Sequence, residues 1–250
     1  MVSDSPRYDR IGTGYAGYRR EDPHLAAQIT AALGDAASVV NVGAGAGSYE
    51  PRGRHVVAIE PSDVMAAQRG PDRVPAIRGF ADALPLRDNA VGGAMAVLTL
   101  HHWDHARKAG VLEMRRVSRG PVVIVTYDPR VSGAMWLMAD YLTEVAELDN
   151  AIFPLPEDVA AWLGGATISP LPIRRDTPDW NLGSFWAHPE RVLDEGAREA
   201  TSGFARQPRA VVDRVVRDVE RDLESGAWAL RHGHLRELSE LDVGLRLIVS

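Results

Sequence analysis

Three kinds of residue in this chain are placed to do chemistry together: closely spaced glycines, two acids downstream of them, and a pair of adjacent histidines. Residues 39–51 read Val39-Val-Asn-Val-Gly43-Ala44-Gly45-Ala-Gly47-Ser-Tyr-Glu-Pro51, an apolar run feeding a loop with glycine at every second position. A second apolar run, Val56-Val-Ala-Ile59, ends at Glu60-Pro61-Ser62. A strand, a glycine turn and an acid at the tip of the next strand make a nucleotide-type cofactor site. The glycines let the backbone approach a ligand where any Cβ would collide. The acid accepts hydrogen bonds from a ribose diol. Asp82, within Ala81-Asp82-Ala83-Leu84-Pro85, is a second acid at a third strand tip, suited to an exocyclic amine. His101 and His102 follow the apolar run Ala94–Leu100 and are the leading candidates for a general base, an effect worth about 10²–10⁴-fold. His188, Asp104, Tyr127 and Asp128 are further polar groups for such a role.

The elements that must position these residues can be read from periodicity. Asp22-Pro23 is a helix start, with Asp as cap and Pro at the first helical position. Leu25, Ala26, Ile29, Ala32 and Leu33 give that helix an apolar face, and Gly34 ends it. Strands are predicted at 38–42, 55–60, 76–78, 94–100 and 121–128, with helices after the second strand and over 105–118. Strands alternating with helices in this way argue for a parallel, doubly wound α/β sheet. The near-continuous apolar runs fit strands covered on both faces. Beyond Asp128 the rhythm changes. The spacing predicts an amphipathic helix over 133–149, with Met135, Met138, Leu142, Val145 and Leu148 on one side, and another over 156–163. Ile168 to Ile173 reads as an edge strand, because Pro170 and Pro172 cannot donate to a ladder. Residues 176–207 carry Trp180, Phe185, Trp186, His188 and Phe204 and read as a cap. A charged amphipathic helix over 208–224 and a final strand over 243–249 complete the chain. The expected division is a cofactor-binding core over 1–128, a cap and substrate region over 129–207, and a closing helix and strand over 208–250.

The glycine spacing bears on which cofactor is bound. NAD sites use Gly-x-Gly-x-x-Gly, with the diphosphate on the N-terminus of the helix that follows. Here the third glycine comes one residue early, and Ser48-Tyr-Glu-Pro51 is turn-like, with nothing to clamp a diphosphate. Together Val39–Gly47, Ala58-Ile-Glu60-Pro-Ser62, Gly79-Phe-Ala-Asp82-Ala-Leu-Pro-Leu86 and Leu98-Thr-Leu-His-His102 resemble the class I S-adenosylmethionine (SAM)-dependent methyltransferases of the small-molecule and quinone-type group. The resemblance covers residues 8 to about 128. It implies a mostly parallel seven-stranded Rossmann-like sheet with a helical cap inserted late in the chain, and SAM as cofactor. It implies further that Gly43, Ala44, Gly45 and Gly47 face the methionine and ribose of SAM. Glu60, with Pro61 and Ser62, would hold the ribose hydroxyls. Asp82, flanked by Ala81 and Ala83, would hold the adenine amine, and Thr99 and Leu100 would border the sulfonium. Tyr15 and Arg19 look like the N-terminal pair that closes over the cofactor, with Arg19 near its carboxylate. One departure is Asn41, where the family usually has an acid.

Composition narrows the remaining field. The chain has 250 residues, room for one large α/β domain or a core plus a cap. It contains no cysteine, which excludes disulfides, thiolate metal sites and thiol chemistry. The histidine pair has no spaced carboxylate or histidine set beside it, so no metal is expected. A net charge of −6 argues against a nucleic-acid partner. No apolar run approaches the ~20 residues of a membrane span, and the N-terminus lacks a signal-peptide core; a cytoplasmic location is expected. High alanine and arginine with few lysines suggest a bacterial source and tailoring of a secondary metabolite. The expected activity is methyl transfer to a small organic acceptor, at oxygen, nitrogen or carbon. An RNA-modifying methyltransferase and a non-catalytic SAM-binding protein are the alternatives.

Overall fold

In helix α1 (Pro23–Ala32), Asp22 caps the start, accepting from the backbone N–H of His24 at 2.8 Å and of Leu25 at 3.3 Å. At its other end the Arg54 guanidinium donates to the carbonyls of Thr30, Leu33, Gly34 and Ala36, several of them groups that the last turn of a helix leaves unpaired. The computed structural model describes residues 18–250.

The chain then builds β1 (Ser38–Val42), β2 (His55–Ile59), α2 (Asp63–Ala67), β3 (Ala76–Ile77), β4 (Gly93–Val97), α3 (Arg107–Val117) and β5 (Val122–Tyr127). There follow α4 (Pro129–Ser132), α5 (Thr143–Ile152), α6 (Pro156–Trp162), β6 (Thr167–Pro170), β7 (Ile173–Arg174), α7 (Glu195–Glu199), α8 (Ser202–Ala205), α9 (Arg209–Glu224), α10 (Ala227–His232), β8 (Glu240–Leu241) and β9 (Leu245–Val249). Seven strands form one sheet in the order β3-β2-β1-β4-β5-β9-β6, and β7 pairs with β8 apart from it. The pairs among β1 to β5 are parallel; β9 runs antiparallel to both β5 and β6. This is the doubly wound α/β sheet expected from the alternation of elements.

Both faces of the sheet are covered, as the apolar runs required. Val40, Val42, Ala94, Ala96, Val122 and Ile124 pack on one side with Val111, Met114 and Val117 of α3 and with Val159 and Ala160 of α6. Val39, Met95, Val123 and Val125 pack on the other side with Leu25 and Ile29 of α1. The same cluster continues without a break into Trp136, Leu142, Phe185, Trp186 and Trp228. Trp186 is fully buried, so this ring is packing.

Three expectations need correction. The strand expected to reach Leu100 ends at Val97, because Leu98 adopts φ +53° and turns the chain into a short 3-10 segment over Leu100–His102. The single helix expected over 133–149 is interrupted. Leu137–Tyr141 is a π-helical segment, Leu142 leaves helical geometry, and α5 begins afresh at Thr143. The two halves answer to different partners: Trp136 Nε1 donates to the Trp186 carbonyl and Tyr141 Oη to Asp222, whereas α5 turns toward the sheet's C-terminal edge. Finally, the stretch 129–207 is not all cap, since β6 lies in the sheet beside β9, and Ile173 belongs to a separate two-stranded ribbon with β8.

Candidate active site

The C-terminal tips of the parallel strands open into one cavity of about 630 Å³, the place where ligands bind in open α/β sheets. The loop after β1 supplies Gly43, Ala44 and Gly45, the tip of β2 supplies Glu60, Pro61 and Ser62, and the turn after β3 supplies Gly79 to Asp82. Thr99, His101 and His102 come from the turn after β4, and Tyr127 from the end of β5. The roof is made by Met138, by Val145, Leu148 and Asp149 of α5, by Phe153, and by residues of the 179–206 stretch.

Glu60 is the best-defined group in the cofactor half. Its carboxylate is buried and accepts the Gly45 N–H at 2.7 Å and the Ser62 N–H at 2.9 Å. Burial pushes its proton affinity up, and these two N–H bonds partly offset that. Each oxygen thus has one backbone donor, leaving lone pairs for a diol. Gly43 is required by its surroundings: its φ is +70°, and a Cβ there would run into the Thr99 side chain. The loop is braced from below. Arg69 donates to both Glu50 oxygens, at 2.7 and 2.8 Å, and to the Gly45 carbonyl at 3.0 Å. Asn41 Nδ2 donates to Glu50 Oε1 at 3.1 Å, so the carboxylate nearest this position comes from nine residues on and lies outside the cavity lining.

Not every expected residue reaches the cavity. Gly47 faces away from it, with Arg73 and Glu50 closing the space where a Cβ would stand. Leu100 is fully buried in the core beneath, and Ala83 lies outside the lining. Asp82 and Phe80 stand exposed at the mouth, while Ala81 is buried behind them. Tyr15 lies outside the described residues. Arg19 does line the cavity, and its Nε donates to Asp179 Oδ1 at 2.5 Å. Asp179 also accepts from Tyr49 Oη at 3.4 Å and Asn181 Nδ2 at 3.2 Å, and Tyr127 Oη donates to Asn181 Oδ1 at 3.1 Å. Burial raises the proton affinity of both tyrosine hydroxyls, which keeps them as donors.

His101 is buried and stacks on Phe153 at 4.4 Å and against His102 at 3.8 Å. His102 Nδ1 lies 3.5 Å from Arg206 Nη2. Two of the other polar candidates stand elsewhere. His188 Nε2 meets the Arg175 carbonyl, and Asp128 caps α4 while paired with Arg130, which holds its carboxyl below the usual range. Asp149, Arg206, Asp179 and Asn181 were not expected at the site. They sit on the cap, where the sequence shows no motif, and only the spacing of Val145, Leu148 and Asp149 along one helical face hints at a shared surface. Among the described residues no cluster of side chains could hold a metal ion, and no helix is long and apolar enough to cross a membrane.

Comparison with known proteins bears on this arrangement. A family model for a methyltransferase domain matches residues 40–124, the stretch from within β1 to the middle of β5. The chain is similar to a protein of known structure from Anabaena variabilis ATCC 29413 described as a methyltransferase from an antibiotic biosynthesis pathway. The identity is 29% and the TM-score 0.86, over 94% of this chain and 99% of that one. The [4+2]-cyclase SpnF shares the fold at 17% identity and TM-score 0.50, covering 93% of this chain and 85% of that chain. A geranyl diphosphate C-methyltransferase from Streptomyces coelicolor A3(2), solved with S-adenosyl-L-homocysteine, matches at 15% identity and TM-score 0.48, covering 90% and 76%. No curated protein matches the chain. The glycine loop, buried Glu60, strand order, the methyltransferase-domain match over 40–124 and the likeness to the Anabaena structure together support a class I SAM-dependent methyltransferase with SAM as its cofactor.

Proposed function

We propose that this enzyme methylates a small organic acceptor that enters the cap-side half of the cavity, as part of the tailoring of a secondary metabolite in a bacterial cytoplasm. The observation that carries the reading is continuity. One cavity joins the glycine loop to an apolar compartment made by Met138, Val145, Leu148, Phe153 and Leu182. Its volume falls within the roughly 300–1,000 Å³ of small-molecule sites. The net charge of −6 disfavours a nucleic-acid acceptor. The described antibiotic-pathway origin of the Anabaena protein is in keeping with a small acceptor.

In this reading Glu60 holds the ribose hydroxyls, Gly43, Ala44 and Gly45 let the ribose and methionine approach the backbone, and Ala81, Asp82 and Pro61 border the adenine. Arg19 and Asp179 meet the carboxylate and ammonium of the methionine end. When bound, SAM supplies an electrophilic methyl on a good leaving group. The chain's own task is to hold the acceptor in line with it, a positioning effect worth roughly 7–11 kcal/mol. His101 and His102 wall the acceptor side at the tip of β4, with His102 in contact with the acceptor.

Calorimetric titration with S-adenosylhomocysteine tests the cofactor half. Binding is expected in the parent protein and at least about tenfold weaker in Glu60→Ala, the loss of one charge-assisted interaction. Tight NAD binding without S-adenosylhomocysteine binding would overturn the reading. A salt-dependent shift of RNA at low micromolar protein would move the acceptor to nucleic acid.

A further inference from the structure

Five carboxylates line the cavity among the described residues: Glu60, Asp82, Asp104, Asp149 and Asp179. Four have a place already. Glu60 holds the glycine loop, Asp179 is paired with Arg19, and Asp82 and Asp104 are exposed at the mouth. Asp149 is different. It sits on the cavity face of α5, and no hydrogen bond from the described residues reaches its carboxylate. Phe153, four residues on and therefore on the same face, stacks on His101 at the tip of β4. Asp149 lines the same cavity as Thr99 and His102 of that strand tip.

We propose that Asp149 is the general base of this methyltransferase, taking the proton from a phenolic hydroxyl of the acceptor as that oxygen is methylated; this rests on the small-acceptor reading above. The hydroxyl proton passes to the carboxylate, an oxygen lone pair forms the new O–C bond, and the electrons of the broken S–C bond stay on sulfur as a neutral thioether. Asp149 then returns the proton to solvent, so no further reactant is needed.

Three observations select a phenol. The compartment beside Asp149 is apolar, with Val145, Leu148, Phe153 and Leu182 as walls, which suits an aromatic ring and not a sugar. The Arg206 guanidinium shares the compartment with Asp149 and disfavours a cationic amine, while it stabilises negative charge growing on a phenolic oxygen. Burial pushes the Asp149 carboxyl up to about 7, opposed only by Arg206. A base of that strength stands within reach of a phenol, near 10, and far from an alkyl hydroxyl. Of the charged and titratable groups in the cavity lining, Arg206 and Tyr127 act directly with Asp149, and His101, His102, His105, Asp104, Asp179, Arg19, Arg20, Tyr49, Asp82 and Glu60 complete the set.

The test uses the full-length protein loaded with S-adenosylhomocysteine, and 4-ethylphenol and 2-naphthol as probes. Neutral phenol should bind better to the carboxylate than to the carboxylic acid. Affinity should therefore rise about tenfold or more between pH 5.5 and 8 in the parent and stay flat in Asp149→Asn. Calorimetry in buffers of different ionisation enthalpy should show proton release on binding near pH 7 in the parent alone. With SAM and the better probe, Asp149→Asn should lose about 10²–10⁴-fold in turnover with unchanged S-adenosylhomocysteine affinity, and Asp149→Glu should recover part of it. A protein that binds S-adenosylhomocysteine but neither phenol, pH-independent phenol binding, or full turnover in Asp149→Asn would each overturn the proposal. Failure to bind S-adenosylhomocysteine at all would instead overturn the cofactor reading.

Discussion

Asp149 is held where its charge is poorly solvated, with its carboxyl raised from 3.8 to about 7. A raised acid contributes its stability when protonated. That contribution is complete below about pH 4 and lost as pH rises through 7. The loss is on the order of 2–4 kcal/mol, the lower figure allowing for cavity water that reaches the carboxylate. Asp149→Asn is therefore expected to be more stable than the parent at pH 8 and equal to it near pH 4, measured by urea unfolding at both pH values. Lower stability at pH 8 would mean the carboxylate is structural. The loop glycine Gly43 makes a second single-residue case, best compared with Gly34. Both have positive φ, but a Cβ on Gly34 meets nothing within 4 Å while one on Gly43 meets Thr99. Gly34→Ala should lose about 1–2 kcal/mol from backbone strain alone. Gly43→Ala should lose a further 1–3 kcal/mol or so from overlap, and urea midpoints compare the two directly.

Elements are held by groups that span them. The Glu50–Arg69 pair is nearly dry, with side chains 3% and 4% exposed, and it ties the loop after β1 to the segment after α2. Removing one partner strands the other charge, so Glu50→Ala is expected to destabilise by about 3–5 kcal/mol. Because Arg69 also holds the Gly45 carbonyl, the same variant should weaken S-adenosylhomocysteine binding although Glu50 itself is not in the cavity lining. Unfolding and titration of one sample check both. At α1, Asp22→Ala removes two cap bonds and should cost about 0.5–2 kcal/mol. The cap was legible because its signals are local: an acid, then proline, then an apolar stripe. The break inside 133–149 was not. Met135, Met138, Leu142, Val145 and Leu148 fit one helical stripe, and only Trp186 and Asp222, each far along the chain, show that two segments face different neighbours.

Across the whole molecule, core and cap share one apolar cluster that runs from Val39 on the sheet to Trp228 near the end of the chain. Ligand and fold are therefore coupled. S-adenosylhomocysteine at a hundredfold excess over its Kd should stabilise the parent by about 2.7 kcal/mol, seen as a concentration-dependent rise in melting temperature that Glu60→Ala loses at the same ligand concentration. The sequence alone determined the alternating α/β order, the glycine loop and the acid at the tip of β2. Each of these depends on residues close together in the chain: a buried strand needs an apolar run, a tight turn needs glycine, and a cap needs an acid before a proline. Tertiary structure alone decided that Gly47 and Leu100 turn away from the cavity, that Asn41 donates to the carboxylate of Glu50, and that Arg19 meets Asp179. It also decided that Asp149 and Arg206 share the compartment with the tip of β4. Those pairings join residues up to 160 positions apart, and no local propensity encodes them. They follow from how the roof of α5 and the 179–206 stretch seats on the sheet, which is set by the packing of the shared core.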